Sequence, residues 1–129
     1  IFGWEGMSGV GISFGADRIY DVLEHFQLFP AASSTGPQVL VLMLDEESEV
    51  GAIQMTSALR KSGIRASSYP QVAKLKKQMK YAADVNVKFV VMAGEEERSM
   101  DEWTIRQMDT GDQQRFSLVD AIAFLAAAL

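Results

Sequence analysis

The pattern of hydrophobic and polar positions along this chain changes between short apolar runs and helical spacing, and this predicts an order of strands and helices. Residues 39–44 form a continuous apolar run, which is typical of a strand buried on both faces. Residues 45–62 then repeat apolar positions at helical spacing, with Asp45 as the expected N-cap and Gly63 as the stop. The predicted inner face of this helix consists of Ala52, Met55, Thr56 and Leu59.

The following segments repeat the order of strand and helix. Residues 64–69 predict a second strand that stops at Pro70, and residues 87–93 predict a third that ends at Gly94. Because strands and helices alternate, we expect right-handed crossovers and a parallel sheet. The helix between these two strands is predicted by the spacing of Val72, Leu75, Met79, Ala82 and Ala83.

The last third of the chain predicts a hairpin. Residues 95–97 are expected to begin a polar loop, and residues 102–109 alternate between apolar and polar. A turn at 109–112 returns the chain as a short strand at 113–116. Trp103, on the apolar side of the first hairpin strand, is expected in the core rather than as a stacking platform.

A final helix is predicted after the hairpin, with Ser117 and Asp120 as a capping box. The expected fold class is therefore α/β: a three-layer mixed β-sheet, mostly parallel with an antiparallel hairpin, flanked by helices. The buried stripe of this last helix is predicted to be Leu118, Ile122, Leu125 and Leu129.

The N-terminal region has its own pattern. Residues 10–14 predict a strand and residues 16–27 an amphipathic helix, whereas residues 30–37 are small, polar and bounded by prolines, as in an interdomain linker. We therefore expect three parts: residues 1–29, a linker at 30–37, and a domain at 38–129. One strand and one helix are too little for a core, and the chain begins at Ile1, so we expect a fragment of a longer protein.

Composition excludes several classes of function. The 129 residues include no cysteine and one histidine, which argues against disulfides, a thiolate or histidine metal site, and Ser-His or Cys-His catalysis. No apolar run approaches the ~20 residues that span a bilayer, and no signal peptide is recognisable. We expect a cytoplasmic protein without a metal site, and we assign His25 no role.

The net charge of −5 argues against general nucleic-acid binding, and DNA in particular, but the charges are segregated. Eight of the twelve Lys and Arg residues lie within residues 60–88, with one acidic residue among them. Such a window can steer a polyanion to one face of the protein. A solvated, lysine-rich helix face explains the same pattern equally well.

Residues 8–23, SGVGISFGADRIYDVL, combine a glycine-rich strand with Arg18 at the junction to a helix. Glycines let a ligand approach the backbone, and a guanidinium binds phosphate or carboxylate; a buried strand with Arg18 in an ordinary ion pair is the alternative. The segment resembles motif 3 of class II aminoacyl-tRNA synthetases, as it occurs in histidyl-tRNA synthetases, with Asp17 where Glu is commoner. The resemblance implies Arg18 as the catalytic ligand of ATP, and nucleotide contacts at Gly9, Gly11, Ser13 and Gly15.

Residues 38–129 resemble the anticodon-binding domain shared by the histidyl, threonyl, prolyl and glycyl enzymes. The matching segments are VLVLMLDEE at 39–47, LRKSGI at 59–64 and KLKKQMKYAADVNVKFVVMAGEEE at 74–97. The resemblance implies that residues 1–29 end a catalytic domain in a homodimeric parent. That parent would bind histidine, its tRNA, and ATP with Mg²⁺, whereas this fragment would hold no cofactor tightly.

Anticodon bases are unstacked in their loop, so polar side chains and arginines can read their edges. Related domains read them near the hairpin, so we expect base contacts from Glu97 and Arg106, with Gln107 and Gln113 beside them. The expected phosphate contacts are Lys74, Lys77 and Lys80. All of these assignments have plainer explanations: a surface glutamate for Glu97, a cross-strand ion pair for Arg106, and a solvated helix face for the lysines.

Three hypotheses of function follow. In the first, the parent is a histidine–tRNA ligase, and this fragment, inactive by itself, mainly recognises the anticodon. In the second, the chain is a non-catalytic relative that senses or assists RNA, although an intact Arg18 argues against it. In the third, it is an α/β module that binds a small ligand or a protein and does not bind tRNA.

Overall fold

The computed structural model describes residues 5–6, 8–29 and 36–129, and the chain divides into two units, residues 1–34 and 35–129. In the first unit, α1 (Ala16–His25) is the regular element that the structure describes. The helix ends at His25, two residues earlier than the pattern predicts. Gln27, just beyond this end, has a φ of 54°. Every residue of α1 is at least partly exposed, and Tyr20 contacts the ring of Phe29, with their centroids 5.3 Å apart.

The strand predicted at 10–14 is not formed. Residues 8–15 have no regular secondary structure, and Val10 and Phe14 are exposed. A β-strand satisfies its backbone groups by pairing with another strand, and the described part of this unit offers none. Residues 30–35 of the predicted linker lie outside the described residues.

The second unit contains five strands and four helices within the described residues. The sheet has the order β2-β1-β3-β4-β5; β1 is parallel to β2 and β3, whereas β4 is antiparallel to β3 and β5. Four strands therefore point the same way, and the predicted α/β class with a mixed sheet is confirmed. The elements are β1 (Val39–Val41), α2 (Ser48–Lys61), β2 (Ala66–Ser68), α3 (Leu75–Asp84), β3 (Phe89–Met92), α4 (Glu95–Ser99), β4 (Glu102–Gln107), β5 (Gln113–Ser117) and α5 (Leu118–Ala128).

Helices cover both faces of this sheet, which gives the three expected layers. On one face, alternate residues of β1 and β3 pack with Met55 and Leu59 of α2 and Leu125 of α5. On the other face, the intervening residues pack with Ala82 of α3. This two-sided burial explains the continuous apolar run at 39–44. Trp103 packs at the border of the first core, as predicted.

Several predicted positions differ in detail. Residues 95–97 belong to the short helix α4 instead of a polar loop, because Glu97 caps the amide of Gly94 and closes one turn. In α5, Leu118 is exposed, whereas Ala121 and Leu125 are buried and Ile122 and Leu129 pack against the core. No helix among the described residues is long and apolar enough to cross a membrane.

The second face depends on a buried polar side chain, Gln78 of α3. Its Oε1 accepts from the Met43 amide at 2.9 Å, and its Nε2 donates to the carbonyls of Met43 and Ala73 at 2.6 Å. The predicted apolar face of α3 is wrong at both ends, because Val72 lies before the helix and Leu75, which is 46% exposed, and Ala83 are not buried. The backbone beyond β1 requires hydrogen-bond partners, and Gln78 supplies them on the buried side of the helix.

We predict that Gln78→Ala lowers the free energy of unfolding by about 2 to 4 kcal/mol, because it leaves the buried amide of Met43 unpaired and its carbonyl with only the 3.4 Å bond from the Ala73 amide. Urea denaturation of the whole chain measures this value. Gln54→Ala, on the exposed side of α2, is the matched control and should change stability by less than about 0.5 kcal/mol. Equal effects of the two substitutions would contradict the role of Gln78.

Candidate nucleic-acid interface

The hairpin β4–β5 carries polar side chains on the face of the sheet that α3 covers elsewhere. Side chains alternate along a strand, so Thr104 and Arg106 share the face of their β3 partners Met92 and Val90. On β5, Arg115 pairs with Thr104, and Gln113 pairs with Arg106. The opposite face of the hairpin packs Ile105 and Phe116 against the core. The hairpin therefore extends the sheet as a surface that is polar on one side only.

A groove of about 400 Å³ lies at the end of this surface, where β1 and β3 finish. Its apolar lining comes from Leu44, Leu75 and Met92. Its polar lining comes mainly from Glu97, Thr104, Gln113 and Arg115. Such a combination offers an apolar surface to the flat face of a ligand and hydrogen-bonding groups to its edges.

Glu97 joins the parts of this groove. Its Oε2 accepts from the amide of Gly94 at 3.0 Å, and its Oε1 accepts from the Thr104 hydroxyl at 3.1 Å. The guanidinium of Arg115 lies 3.2 Å from Oε1 and forms a second, exposed pair with Glu96. One carboxylate therefore links α4, β4 and β5.

A second ion pair attaches α4 to the loop after β1. Arg98 donates to the Ala93 carbonyl at 3.1 Å and to Oδ2 of Asp45 at 3.0 Å. Asp45 also accepts from the Ser48 amide at 2.7 Å, so it holds the turn before α2, but the N-cap position is Glu47 and not the predicted Asp45, because the helix begins later than expected. The position of Glu97 in the groove thus depends on the bonds by which Arg98 and Asp45 attach α4 to the loop after β1.

Both carboxylates have a pKa below the usual value. For Glu97, its own backbone amide lowers the pKa most; burial opposes this, and Thr104, Gly94 and Arg115 lower the pKa further. For Asp45, partial burial alone would raise the pKa, but the hydrogen bond from Ser48 and the charge of Arg98 outweigh it. Both groups are therefore ionised at neutral pH, as their ion pairs require.

The residues predicted to contact RNA fall into three places. Glu97 and Gln113 line the groove, and Arg106 is the cross-strand partner of Gln113 on the same face. Gln107 lies instead beside a separate cavity of about 590 Å³, where Phe89 also contributes to the lining. Alternation along β4 places Gln107 on the face opposite Arg106, so the two are not brought together. Lys74, Lys77 and Lys80 are exposed in and before α3.

Arg115 is a groove residue that the sequence analysis missed. The signal was available, because alternation along 113–117 places Gln113 and Arg115 on the same side. What the pattern did not contain was the register that sets Arg115 opposite Thr104 and within reach of Glu97.

The residues of the glycine-rich segment are all exposed: Gly9, Gly11, Ser13, Gly15 and Arg18. A Cβ added at Gly9 or Gly11 would meet no atom within 4 Å, so nothing described in this unit approaches the backbone there. Their nucleotide contacts stay a prediction. Among the described residues, no group of His, Asp and Glu side chains could hold a metal ion.

Comparison with known protein families gives a direct match. Residues 38–128 match the family described as the anticodon binding domain. The chain is 47% identical over 127 residues to histidine–tRNA ligase of Porphyromonas gingivalis, which covers 98% of this chain and 28% of that protein. It is 39% identical to the Phocaeicola vulgatus ligase with the same coverage. The chain thus spans under a third of the length of these relatives.

Solved structures share the fold. The histidyl-tRNA synthetase of Nostoc sp. superposes with a TM-score of 0.70 at 20% identity, over 87% of this chain and 27% of that one. The RNA binding domain of threonyl-tRNA synthetase from Cryptosporidium parvum gives a TM-score of 0.66 at 22% identity, over 70% of this chain and 23% of that one. At these identities, both similarities show a shared fold only.

We predict that Glu97→Gln lowers the free energy of unfolding at pH 7 by about 1 to 2 kcal/mol, because charge-assisted hydrogen bonds are lost. The folded pKa of Glu97 is depressed, so its contribution is present above the unfolded pKa and is lost as the pH falls through the folded value. Denaturation from pH 7 to pH 3 should therefore show the two proteins converging in acid. Glu95→Gln, exposed in the same turn, is the control; a difference independent of pH would contradict the assignment.

Proposed function

We propose a tRNA-binding role for this chain, which belongs to the family of anticodon binding domains. In this proposal the groove between α3, α4 and β5 receives unstacked bases of the anticodon loop of histidine tRNA. The parent protein would attach histidine to that tRNA with ATP, as the names of the relatives indicate for those proteins. Histidine, ATP with Mg²⁺ and a homodimeric assembly belong to the proposal for the parent.

The observation that carries this proposal is the lining of the groove. Leu75 and Met92 offer an apolar surface to the face of a base, and Gln113 offers an amide that both donates and accepts. Splayed bases are recognised in this manner, by stacking or packing on the face and hydrogen bonds at the edge. Thr104 and Glu97 already bond to each other, so they support the shape of the groove.

The charges at the groove suit RNA although the chain is acidic overall. Arg115 is held beside the groove by Glu96 and Glu97, and Arg106 has no ion pair within the described part of the chain. Both guanidinium groups lie on the polar face of the hairpin, where they can stack on bases or bond to phosphate. Lys74, Lys77 and Lys80, which are exposed in and before the helix that covers this face, are the phosphate contacts of this proposal.

We expect the chain to bind histidine tRNA with its native anticodon about tenfold more tightly than a transcript with one anticodon base changed, a difference of about 1.4 kcal/mol. Fluorescence titration at a fixed salt concentration measures both affinities. Equal affinities would contradict anticodon reading and leave only electrostatic attraction.

Gln113→Ala should weaken binding of the native transcript by about threefold to tenfold and bring the two affinities closer together, because an edge contact is removed. Its exposed position means that the folded structure should be retained, which circular dichroism checks. Gln54→Ala on α2 serves as the matched control. A Gln113→Ala variant with undiminished discrimination would remove this residue from the proposed site.

We expect this chain alone to give no histidine-dependent exchange of pyrophosphate into ATP. It covers 28% of the length of the ligases it resembles, and Arg18 is one of several groups that a phosphoryl-binding site requires. A histidine-dependent exchange signal that rises with the concentration of the purified chain would overturn this expectation.

A further inference from the structure

A second charged surface lies at the opposite edge of the sheet from the hairpin. Residues 50–83 contain no acidic residue, and three of their cations, Arg60, Lys61 and Arg65, cluster where α2 ends and β2 approaches. All three are exposed, and none forms an ion pair within the described part of the chain. We call these three residues the basic edge.

The side chain of Arg60 has a defined position in this edge. Its Nε donates to the carbonyl of Ala66 at 2.7 Å, which fixes the guanidinium against β2. The structure describes no further hydrogen bond of this guanidinium, so its terminal nitrogens remain available as donors. The Nε bond of Arg60 is explained by the need to cover an edge strand. Lys61 is explained by the partial negative charge at the C-terminal end of α2. Neither effect explains Arg65.

Two concavities flank Arg60. One, of about 390 Å³, places Arg60 and Lys61 beside the hydroxyl side chains of Ser57 and Ser68. The other, of about 500 Å³, places Arg60 and Arg65 beside Ser67. Cations and hydroxyl groups all donate hydrogen bonds, so both concavities suit the oxygens of a phosphate group.

We propose that the basic edge is a second RNA contact, which binds backbone phosphates of the same tRNA whose anticodon loop enters the groove. This inference rests on the proposed function. Both concavities share Arg60, and neither has an acidic residue in its lining, so their charge favours the phosphates of a nucleic acid.

The edge and the groove lie on different sides of the sheet. Strands lie about 4.8 Å apart, so β2 is about 14 Å from β4, but α2 covers one face and α3, beside the groove, covers the other. A single nucleic acid that meets both places would pass around the free edge of β2, with phosphates spaced a few ångströms apart along its path. The groove would then supply discrimination between bases, and the basic edge would supply affinity that is independent of sequence.

The test is the double variant Lys61→Gln/Arg65→Gln, which leaves Arg60 and its bond to Ala66 intact. Binding of histidine tRNA, with the native and with a changed anticodon, is titrated across a salt series. Each phosphate contributes about 0.7 to 0.9 to the slope of log K against log salt, so the slope should become shallower by about 1.5. Both transcripts should lose affinity by the same factor. Lys76→Gln/Lys88→Gln removes the same charge elsewhere, and thermal melting monitors folding of all variants.

The outcomes separate the two proposals. A shallower slope in Lys61→Gln/Arg65→Gln, with a clearly smaller change in the control pair, supports the basic edge. If the parent chain discriminates anticodons but the variant binds with an unchanged slope, or the control pair changes it equally, the basic edge is overturned and the groove stands. If the unaltered chain binds neither transcript, both proposals fail.

Discussion

The end of β1 must be hydrogen-bonded inside the protein, and the arrangement that achieves this holds the rest of the unit in place. Gln78 pairs with the backbone of Met43, and Ser48 accepts from the amides of Leu44 and Asp45. Burial of unpaired peptide groups would cost about 1 to 3 kcal/mol each, so this loop has little freedom. Its carboxylate, Asp45, then fixes Arg98 and with it α4.

The hydrogen-bonded chain of contacts continues from α4 to the candidate site. Glu97 projects from this short helix and joins Gly94, Thr104 and Arg115, so the groove receives its shape from bonds that begin at β1. A helix of five residues has little stability of its own, and these contacts compensate for it. The groove is therefore built on the rigid part of the fold, which is what discrimination between similar bases requires.

Much of this fold could be predicted from the sequence, because its signals are local. The apolar run at 39–44 and the helical spacing of residues 45–62 identify β1 and α2, and the turn at 109–112 identifies the hairpin. Gln78 could not be found in this way, since a glutamine among lysines gives no sign of burial until the loop that it bonds is in place. The strand predicted at 10–14 fails for a related reason: local alternation supplies a strand with the right side chains but not with a neighbour.

In the candidate site, too, the residues with a local signal could be predicted and those placed by distant contacts could not. Glu97, Arg106 and Gln113 were expected from their residue types near a hairpin, and the structure places them on or beside the groove. Gln107 was expected there too, but strand alternation turns it to the other face. Arg115 acquires its position from cross-strand register, which no local pattern contains.

The most direct test of this account is amide chemical-shift mapping of the chain with an anticodon stem-loop of histidine tRNA. We predict shifts at Gly94, Thr104, Gln113 and Arg115 that weaken when one anticodon base is changed, and shifts around Arg65 that do not. Perturbations that avoid the groove, or that are the same for both stem-loops at the groove, would contradict it.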